Sequence, residues 1–191
     1  LGAEVIRLEP PGGDPLRNMP PCADGCSVRF DALNHLKDVR EVDIKTAAGR
    51  AEIHELCRET DVFLHNWAPD KPAELQLHAA DLHATRPSLI QAYAGGWGDA
   101  QVNAPGTDFT VQAWSGVASR IASASGTRGG TLFTALDVLG GVISAQGICA
   151  ALLDRELHGH GAQLHSSLLG AADLLLGEHC GIASPPVLQG P

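Results

Sequence analysis

The chain has 191 residues, of which 44% are hydrophobic and 18% charged, a composition typical of a folded domain with a full core. Its formal net charge of −9 argues against nucleic acid as the main partner, and no stretch approaches ~20 uncharged apolar residues, so we expect no membrane span. Five scattered cysteines favour a reducing, cytoplasmic location over a disulfide framework, and the spacing of the cysteines and nine histidines predicts no metal site.

Strands and helices are predicted to alternate along the chain. Short runs with β-branched residues or alternating polarity predict strands at 3–9, 39–46, 61–67 and 90–98. Helical spacing of apolar residues predicts helices at 47–60, within 78–89, at 107–117, from Asp137 to the "HGHG" at 158–161, and at 171–178, with 162–169 either a strand or the entry to a helix. Turns or loops are expected at 10–15 and 20–26, and Pro69 and Pro72 should interrupt regular structure after the third strand.

This alternation predicts an α/β fold with a mostly parallel sheet and helices on both faces, formed by residues 1–191 as one domain. In such folds ligands bind outside the carboxyl ends of the strands. The segments "GGDP", "HNWAP" and "GGWG" follow or end strands at that edge. None of them has the glycine pattern of a dinucleotide-binding or P-loop motif, so a general nucleotide-binding function is not favoured.

One carboxylate stands out in an apolar setting. The stretch "TLFTALDVLGGVISAQGICAALL" at 131–153 contains a single charged residue, Asp137. Burying an ionised carboxylate is costly unless it is paired or hydrogen-bonded. Thr134 and Asp137 have the spacing of an N-cap and N3 pair, so Asp137 has either a capping role or a chemical one.

Six segments, in this order, resemble the family III CoA-transferases of the CaiB/BaiF type. This group includes formyl-CoA transferase, carnitine CoA-transferase and α-methylacyl-CoA racemase. The matching pieces extend from Leu1 to about Leu169: "LGAEVIRLEPPGGDPLR", "DIKTAAGR", "DVFLHNWAPD", "RPSLIQAYAGGWG", "DFTVQAWSG" and "ALDVLGGVISAQGICAALLDRELHGHGAQLHSSLL".

The resemblance implies a Rossmann-like large domain that is incomplete in this chain. Family members begin with a further strand and helix, carry a glutamine-containing loop there, and have a small domain that this sequence lacks. They form interlocked homodimers. We therefore expect a fragment, a truncated paralogue or one part of a larger assembly.

The resemblance also implies that Asp137 is the nucleophile of a CoA transfer between carboxylic acids. Its carboxylate would attack an acyl-CoA to give a mixed anhydride and then an aspartyl-CoA thioester. An apolar setting would exclude water, a helix N-terminus would favour the ionised carboxylate, and Gly140 and Gly141 would let the backbone approach the thioester.

Coenzyme A contacts are implied for Val42, Lys45, Asn66 and Trp67, whose indole is expected to stack on adenine. Three basic positions of formyl-CoA transferase are replaced by other residues, and basic side chains nearby in sequence are candidate substitutes. The replacements are Pro10, Glu74 and Gly106; the substitutes are Arg7, Arg17 and Lys71. The densest basic cluster comprises Lys37, Arg40, Lys45 and Arg50.

Two other functions are weighed against the transferase. A non-catalytic homologue or half-enzyme, serving as a structural partner of an active subunit, is the main alternative. An acyl-CoA racemase is disfavoured, because Thr107 stands where that branch of the family has its histidine base, and a threonine cannot take an α-proton near neutral pH.

Overall fold

In the computed structural model, strands alternate with helices along residues 2–98, 105–127 and 133–183, which are the residues that the structure describes, with side chains described as far as Gly177. Leu1, the first two residues of the stretch 131–153 and the side chain of Cys180 lie outside this description. The predicted α/β class with parallel strands is confirmed. The assignment of residues 1–191 to a single domain stays a prediction.

The described strands form two parallel sheets and one antiparallel hairpin, where the sequence predicted one mostly parallel sheet. The hairpin lies in the predicted loop 20–26, and its register places Cys26 opposite Ala23. Cys22 and Cys26 therefore project from opposite faces of the hairpin. The sheets are β1 (Ile6–Glu9) with β4 (Asp38–Glu41), the hairpin β2 (Cys22–Ala23) with β3 (Cys26–Ser27), and, in this order, β5 (Val62–His65), β6 (Ile90–Gly95) and β7 (Ala162–Ser167).

Among the described residues, a 3-10 helix (Pro15–Asn18) lies between β1 and β2, a turn joins β2 to β3, and α-helices connect the remaining strands. They are α1 (Val28–Asn34), α2 (Ala47–Glu59), α3 (Lys71–Glu74), α4 (Ala79–Thr85), α5 (Asp108–Ser115), α6 (Val117–Ser125), α7 (Ala135–His158) and α8 (Leu168–Ala183).

Four of these elements follow the predicted sequence signals closely. The predicted helix 47–60 is α2, whose N-cap Thr46 accepts a hydrogen bond from the backbone N–H of Gly49 (3.0 Å). The long helix α7 ends at Gly159, which has φ +79°, a conformation that glycine adopts at little cost. The ambiguous segment 162–169 is a strand followed by a helix start, β7 and then α8.

Apolar side chains form two core clusters. The first, called the α2 cluster, lies between α2, α4 and the segments that follow β4 and β5; the second, called the α7–α8 cluster, joins α5, α6, α7 and α8. The α2 cluster comprises Val42, Ile53, Cys57, Leu75, Leu77, Leu82 and Leu89, and the α7–α8 cluster comprises Val111, Val117, Leu136, Ala171 and Ala172.

Helices cover both faces of the β5–β6–β7 sheet, as predicted. On one face, the Ser144 hydroxyl of α7 lies 2.7 Å from the Ser166 hydroxyl of β7. A Cβ on Gly147 would lie 2.9 Å from Leu164, so the missing side chain lets α7 approach the strand. The other face of the sheet points towards α3 and α4, with Gln91 donating to the Leu77 carbonyl (3.4 Å).

Two glycines hold the end of β6 against the start of α5. A Cβ on Gly96 would lie 2.3 Å from the Cα of Gly106, and a Cβ on Gly106 would lie 2.7 Å from the Cα of Gly96. No other residue type fits at either position without moving the backbone. This contact, called the glycine clasp, joins the two segments that flank residues 97–105.

Helix α7 is long and apolar enough to cross a membrane by length and composition, with a mean hydropathy of 1.8 over its most apolar window. It is the one such helix among the described residues. A single helix of this kind is weak evidence for a membrane span, because core helices of globular proteins meet the same test. The expected absence of a membrane partner stays a prediction.

Candidate functional site

Asp137 lies in the first turn of α7, and its own side chain does not cap the helix. Thr134 occupies the N-cap position but makes no side-chain capping hydrogen bond. Instead, the carboxylate of Asp108 accepts a hydrogen bond from the backbone N–H of Asp137 (2.7 Å). The Asp137 carboxylate accepts no hydrogen bond from any described residue. The start of α7 is thus capped by a side chain of α5, and the Asp137 carboxylate takes no part in the capping.

Asp108 is held rigidly in the interior. Its residue surface is only 4% exposed and that of its neighbour Gln112 only 1%. The Gln112 amide donates both to the Asp108 carboxylate and to the Phe133 carbonyl, the latter at 2.9 Å. Asp108 therefore fixes the backbone beside Asp137 from a buried, hydrogen-bonded position.

The surroundings of Asp137 raise the pKa of its carboxyl group. Partial desolvation by neighbouring protein is the main cause, and the negative charge of Asp108 adds to it, while Arg29 opposes both. The helix N-terminus was expected to favour the ionised form of this carboxyl group, but the net shift of its pKa is in the opposite direction. The expected exclusion of water is also not seen within the described residues, because Asp137 is exposed.

The two glycines that follow Asp137 face different surroundings. A Cβ on Gly140 would lie 3.1 Å from Leu168, so the space beside Gly140 is filled by the packing of α8 against α7. A Cβ on Gly141 would meet no described atom within 4 Å. Of the two, only Gly141 leaves open space beside the first turns of α7.

The residues with implied coenzyme A contacts lie after β4 and β5, around the α2 cluster. Val42 is buried in that cluster, and Trp67 packs against it. Asn66 and Lys45 are exposed, and the Lys45 ammonium has no partner among the described residues. The Trp67 indole already stacks on the His65 imidazole (ring centroids 5.0 Å apart) and meets the Phe63 ring edge-on (5.9 Å), which limits the indole surface left for adenine.

The candidate substitutes for the lost basic positions are all paired with carboxylates. The Arg17 guanidinium donates twice to Glu9, both at 2.8 Å, and Arg7 bonds the same carboxylate and Asp14. These contacts, Arg17 foremost, lower the pKa of Glu9 to about 2. Lys71 pairs with Glu74 at 2.6 Å. These cations are neutralised locally, which weakens them as phosphate ligands.

The basic cluster of the sequence is only partly available. Arg40 pairs with Asp38 at 3.2 Å, Arg50 donates to the Lys45 carbonyl, and Lys37 donates to Asn34. Desolvation and the charge of Arg7 lower the pKa of Lys37.

Two residues near Asp137 were missed by the sequence analysis. Asp108 lies at the start of the predicted helix 107–117, and its position beside Thr107 signals a helix N-terminus but not a bond to a second helix. Arg29 lies on α1, which was not predicted. Among the described residues, no group of three or more histidine, cysteine or acidic side chains could hold a metal.

A model of CoA-transferase family III matches residues 1–184. The chain belongs to CoA-transferase family III. Among its relatives, the acetyl-CoA:oxalate CoA-transferase of Acetobacter aceti is 35% identical over 174 residues, which are 88% of this chain and 44% of that protein. The succinyl-CoA:glutarate CoA-transferase of Mus musculus is 32% identical over 177 residues, 90% of this chain and 40% of that protein.

Solved structures support the same family III fold. The crystal structure of Rv3272 from Mycobacterium tuberculosis superposes with a TM-score of 0.87 at 28% identity, covering 99% of this chain and 53% of that one. A CaiB/BaiF family protein from Brucella suis gives a TM-score of 0.83 at 26% identity, covering 96% of this chain and 51% of that one. The chain thus spans about half the length of the relatives it matches.

Proposed function

We propose that the protein of which this chain is part is a CoA-transferase that moves coenzyme A between carboxylic acids, with Asp137 as the nucleophile. The observation that carries this is the Asp137 carboxylate itself. It lies at the start of α7, exposed and free of hydrogen bonds from described residues, while the buried Asp108 does the capping. Capping was the competing explanation for Asp137. Because Asp108 caps the helix instead, the chemical role of Asp137 is favoured.

In the proposed reaction, an Asp137 oxygen attacks the acyl carbon of an acyl-CoA, and the C–S bond breaks to leave a mixed anhydride and the CoA thiolate. The thiolate then attacks the Asp137 carbonyl carbon, forming an aspartyl-CoA thioester and releasing the donor acid. An acceptor carboxylate reverses the two steps. Asp137 must be ionised to attack, and its raised pKa makes it the stronger nucleophile once ionised.

Residues at the carboxyl ends of β4 and β5 are proposed to hold coenzyme A. Lys45 would meet a phosphate, while Asn66 and Trp67 would contact the nucleotide. Val42 supports Trp67 through the α2 cluster. On α7, Gly141 offers the open surface for the thioester, and Gly140 sets the packing beneath it. A cytoplasmic, interlocked homodimer is proposed for the whole protein.

The first test replaces Asp137. Asp137→Asn in the full-length protein should abolish transfer between an acyl-CoA and an acid, because an amide cannot form the anhydride. Hydroxylamine should trap the aspartyl thioester as a hydroxamate on Asp137 of the wild type during turnover. Asp173→Asn, an exposed carboxylate on α8, is the matched control and should keep full activity. An active Asp137→Asn variant would contradict the mechanism.

A structural partner without activity is the second candidate, favoured by the pairing of Arg7, Arg17 and Lys71 with carboxylates. Coenzyme A binding separates the two. For a transferase, Lys45→Glu should weaken binding by ~1–2 kcal/mol, the scale of one charge-assisted hydrogen bond, and by less at high salt. Arg120→Glu, at an exposed site on α6, is the control. Calorimetry that detects no coenzyme A binding to the wild type would favour the structural partner.

A further inference from the structure

A cavity of about 150 Å³ lies against the β5–β6–β7 sheet, between the sheet and the starts of α3 and α4. Its floor is a row of three residues that are in register on the three strands, His65, Tyr93 and His165. Pro72 and His78 lie on the opposite wall. Because side chains alternate along a strand, the three floor residues share one face of the sheet.

Two floor residues offer polar atoms without protein partners. The Tyr93 hydroxyl makes no hydrogen bond with a described residue, and its ring extends along the strand over Gly95, where a Cβ would lie 2.3 Å from the hydroxyl oxygen. His65 Nδ1 is shielded from solvent and has no partner among the described atoms. Nε2 is therefore the His65 atom that a ligand can reach.

The protonation of both groups suits them as donors. Burial, with a smaller contribution from His165, lowers the pKa of His65 to about 4, so the ring is neutral near pH 7. With no acceptor near Nδ1, its single proton belongs on Nε2. Burial also raises the pKa of Tyr93, which keeps the phenol protonated. The cavity thus presents an O–H and an N–H.

The lining selects against cations. It contains imidazoles, amides, one phenol, two prolines and an alanine, but no acidic side chain among the described residues. The described residues also offer no group able to hold a metal. The two neutral donors, the Tyr93 O–H and the His65 Nε2–H, match a ligand with two acceptor oxygens. A cavity of ~150 Å³ accommodates about six non-hydrogen atoms, since an engineered cavity of that size binds benzene.

We propose that this cavity binds the carboxylate of a short-chain acid, with the Tyr93 hydroxyl and the His65 Nε2–H as donors. Aromatic contacts hold the two donors in position. The His65 ring centroid lies 5.0 Å from that of Trp67 and 5.3 Å from that of Tyr93. The site is separate from Asp137. It lies on the sheet face turned towards α3 and α4, whereas α7 packs on the other face through Ser166.

Acetate binding to the full-length protein tests the proposal by NMR. Tyr93 is the single tyrosine of the chain, so its labelled ring gives an unambiguous signal. Acetate, added at constant ionic strength, should shift the Tyr93 and His65 ring signals saturably in the millimolar range. Tyr93→Phe should weaken binding about tenfold, the loss of one hydrogen bond to a charged group, as should His65→Leu, which has no donor. His160→Leu, at an exposed site, is the control.

Acetamide separates a carboxylate site from a merely polar cavity, and it should produce no saturable shift. Equal binding of acetamide and acetate, unchanged affinity in both Tyr93→Phe and His65→Leu, or the absence of saturable shifts at these rings would each overturn the proposal. So would acetate binding that is lost in Asp137→Asn but kept in both cavity variants. None of these outcomes depends on whether the protein transfers coenzyme A.

Discussion

Asp137 is subject to two opposing charges, the buried carboxylate of Asp108 and the exposed guanidinium of Arg29. Each acts on the equilibrium between the ionised and neutral forms of the Asp137 carboxyl group. A raised carboxyl pKa means that the folded state favours the neutral form of Asp137. Its ionisation at neutral pH therefore costs stability, and this part of the stability falls as pH rises through the ordinary pKa of an aspartate towards the raised value.

The two neighbours should shift the pKa of Asp137 in opposite directions. Asp108→Asn removes a negative charge and should lower it; Arg29→Gln removes a positive charge and should raise it. The acid limb of the pH–rate profile should move to lower pH in the first variant and higher pH in the second, because in the proposed mechanism only ionised Asp137 attacks. NMR titration of the labelled Asp137 carboxyl carbon measures the same shifts without turnover.

Shifts in the same direction, or none in either variant, would contradict this electrostatic account. Asp108→Asn carries a second expected effect. An asparagine offers one oxygen where the aspartate accepts from both Gln112 and the Asp137 backbone N–H. Leaving one buried donor unsatisfied should cost about 1–3 kcal/mol of unfolding free energy, measured by urea denaturation.

The sequence identifies Asp137 but not its immediate environment. A lone carboxylate in an apolar stretch can be recognised from the sequence alone. Its link to Asp108 crosses 29 residues of sequence and joins two helices, so no local pattern encodes it. The pairing of Arg7 and Arg17 with Glu9 is similarly hidden, because it depends on the chain folding back after β1.

At the scale of elements, strong periodic patterns in the sequence were sufficient to predict helices, and weak patterns were not. The apolar period of α2 and the terminal glycine of α7 predicted both helices closely. The sequence does not predict helix α3, because Pro72 favours an interruption of regular structure, although proline is well tolerated in the first turn of a helix. Helix α6 has several serines, which favour turns and caps, so its sequence lacked a clear helical signal.

Alanine substitutions at two helical glycines can separate the proposed role of α7 in thioester binding from its contribution to stability. A Cβ added at Gly141 on α7 or at Gly177 on α8 would have no described atom within 4 Å. Alanine at either site should raise the unfolding free energy by up to ~1 kcal/mol, because it reduces the entropy of the unfolded chain. Only Gly141→Ala should also lower transferase activity, by obstructing the thioester.

Thermal melts and initial rates of the full-length variants check this pair. Gly177→Ala reports the general effect of a stiffer helix on turnover. Equal activities in the two variants would remove Gly141 from the proposed thioester site.

At the scale of the whole molecule, α7 and α8 leave large apolar side chains uncovered. The exposed fractions of Val142, Leu153, Leu157 and Leu174 are 60%, 62%, 70% and 65%. On α7 the exposed apolar positions recur at helical spacing, so they form a stripe along one side. A stripe of this kind favours burial against another polypeptide segment.

The proposed homodimer should therefore resist dilution. Sedimentation of the full-length protein at micromolar concentration should show a dimer, and Leu153→Asp should weaken it because a charge would enter an apolar contact. Leu36→Asp, at a site that follows α1 and is 87% exposed, is the control. A monomeric wild type, or equal behaviour of the two variants, would argue against this stripe as a dimer contact.

The glycine clasp between Gly96 and Gly106 has a consequence for protein engineering. Because the two backbones touch, the separation of β6 and α5 is set by the clasp rather than by the number of residues between its two ends. Peptide inserted between the two glycines should leave Asp108 in place and Asp137 capped, so the position is a candidate entry point for a reporter sequence. A bulky residue at either glycine should instead displace the cap of α7 while leaving the Asp137 side chain itself unchanged.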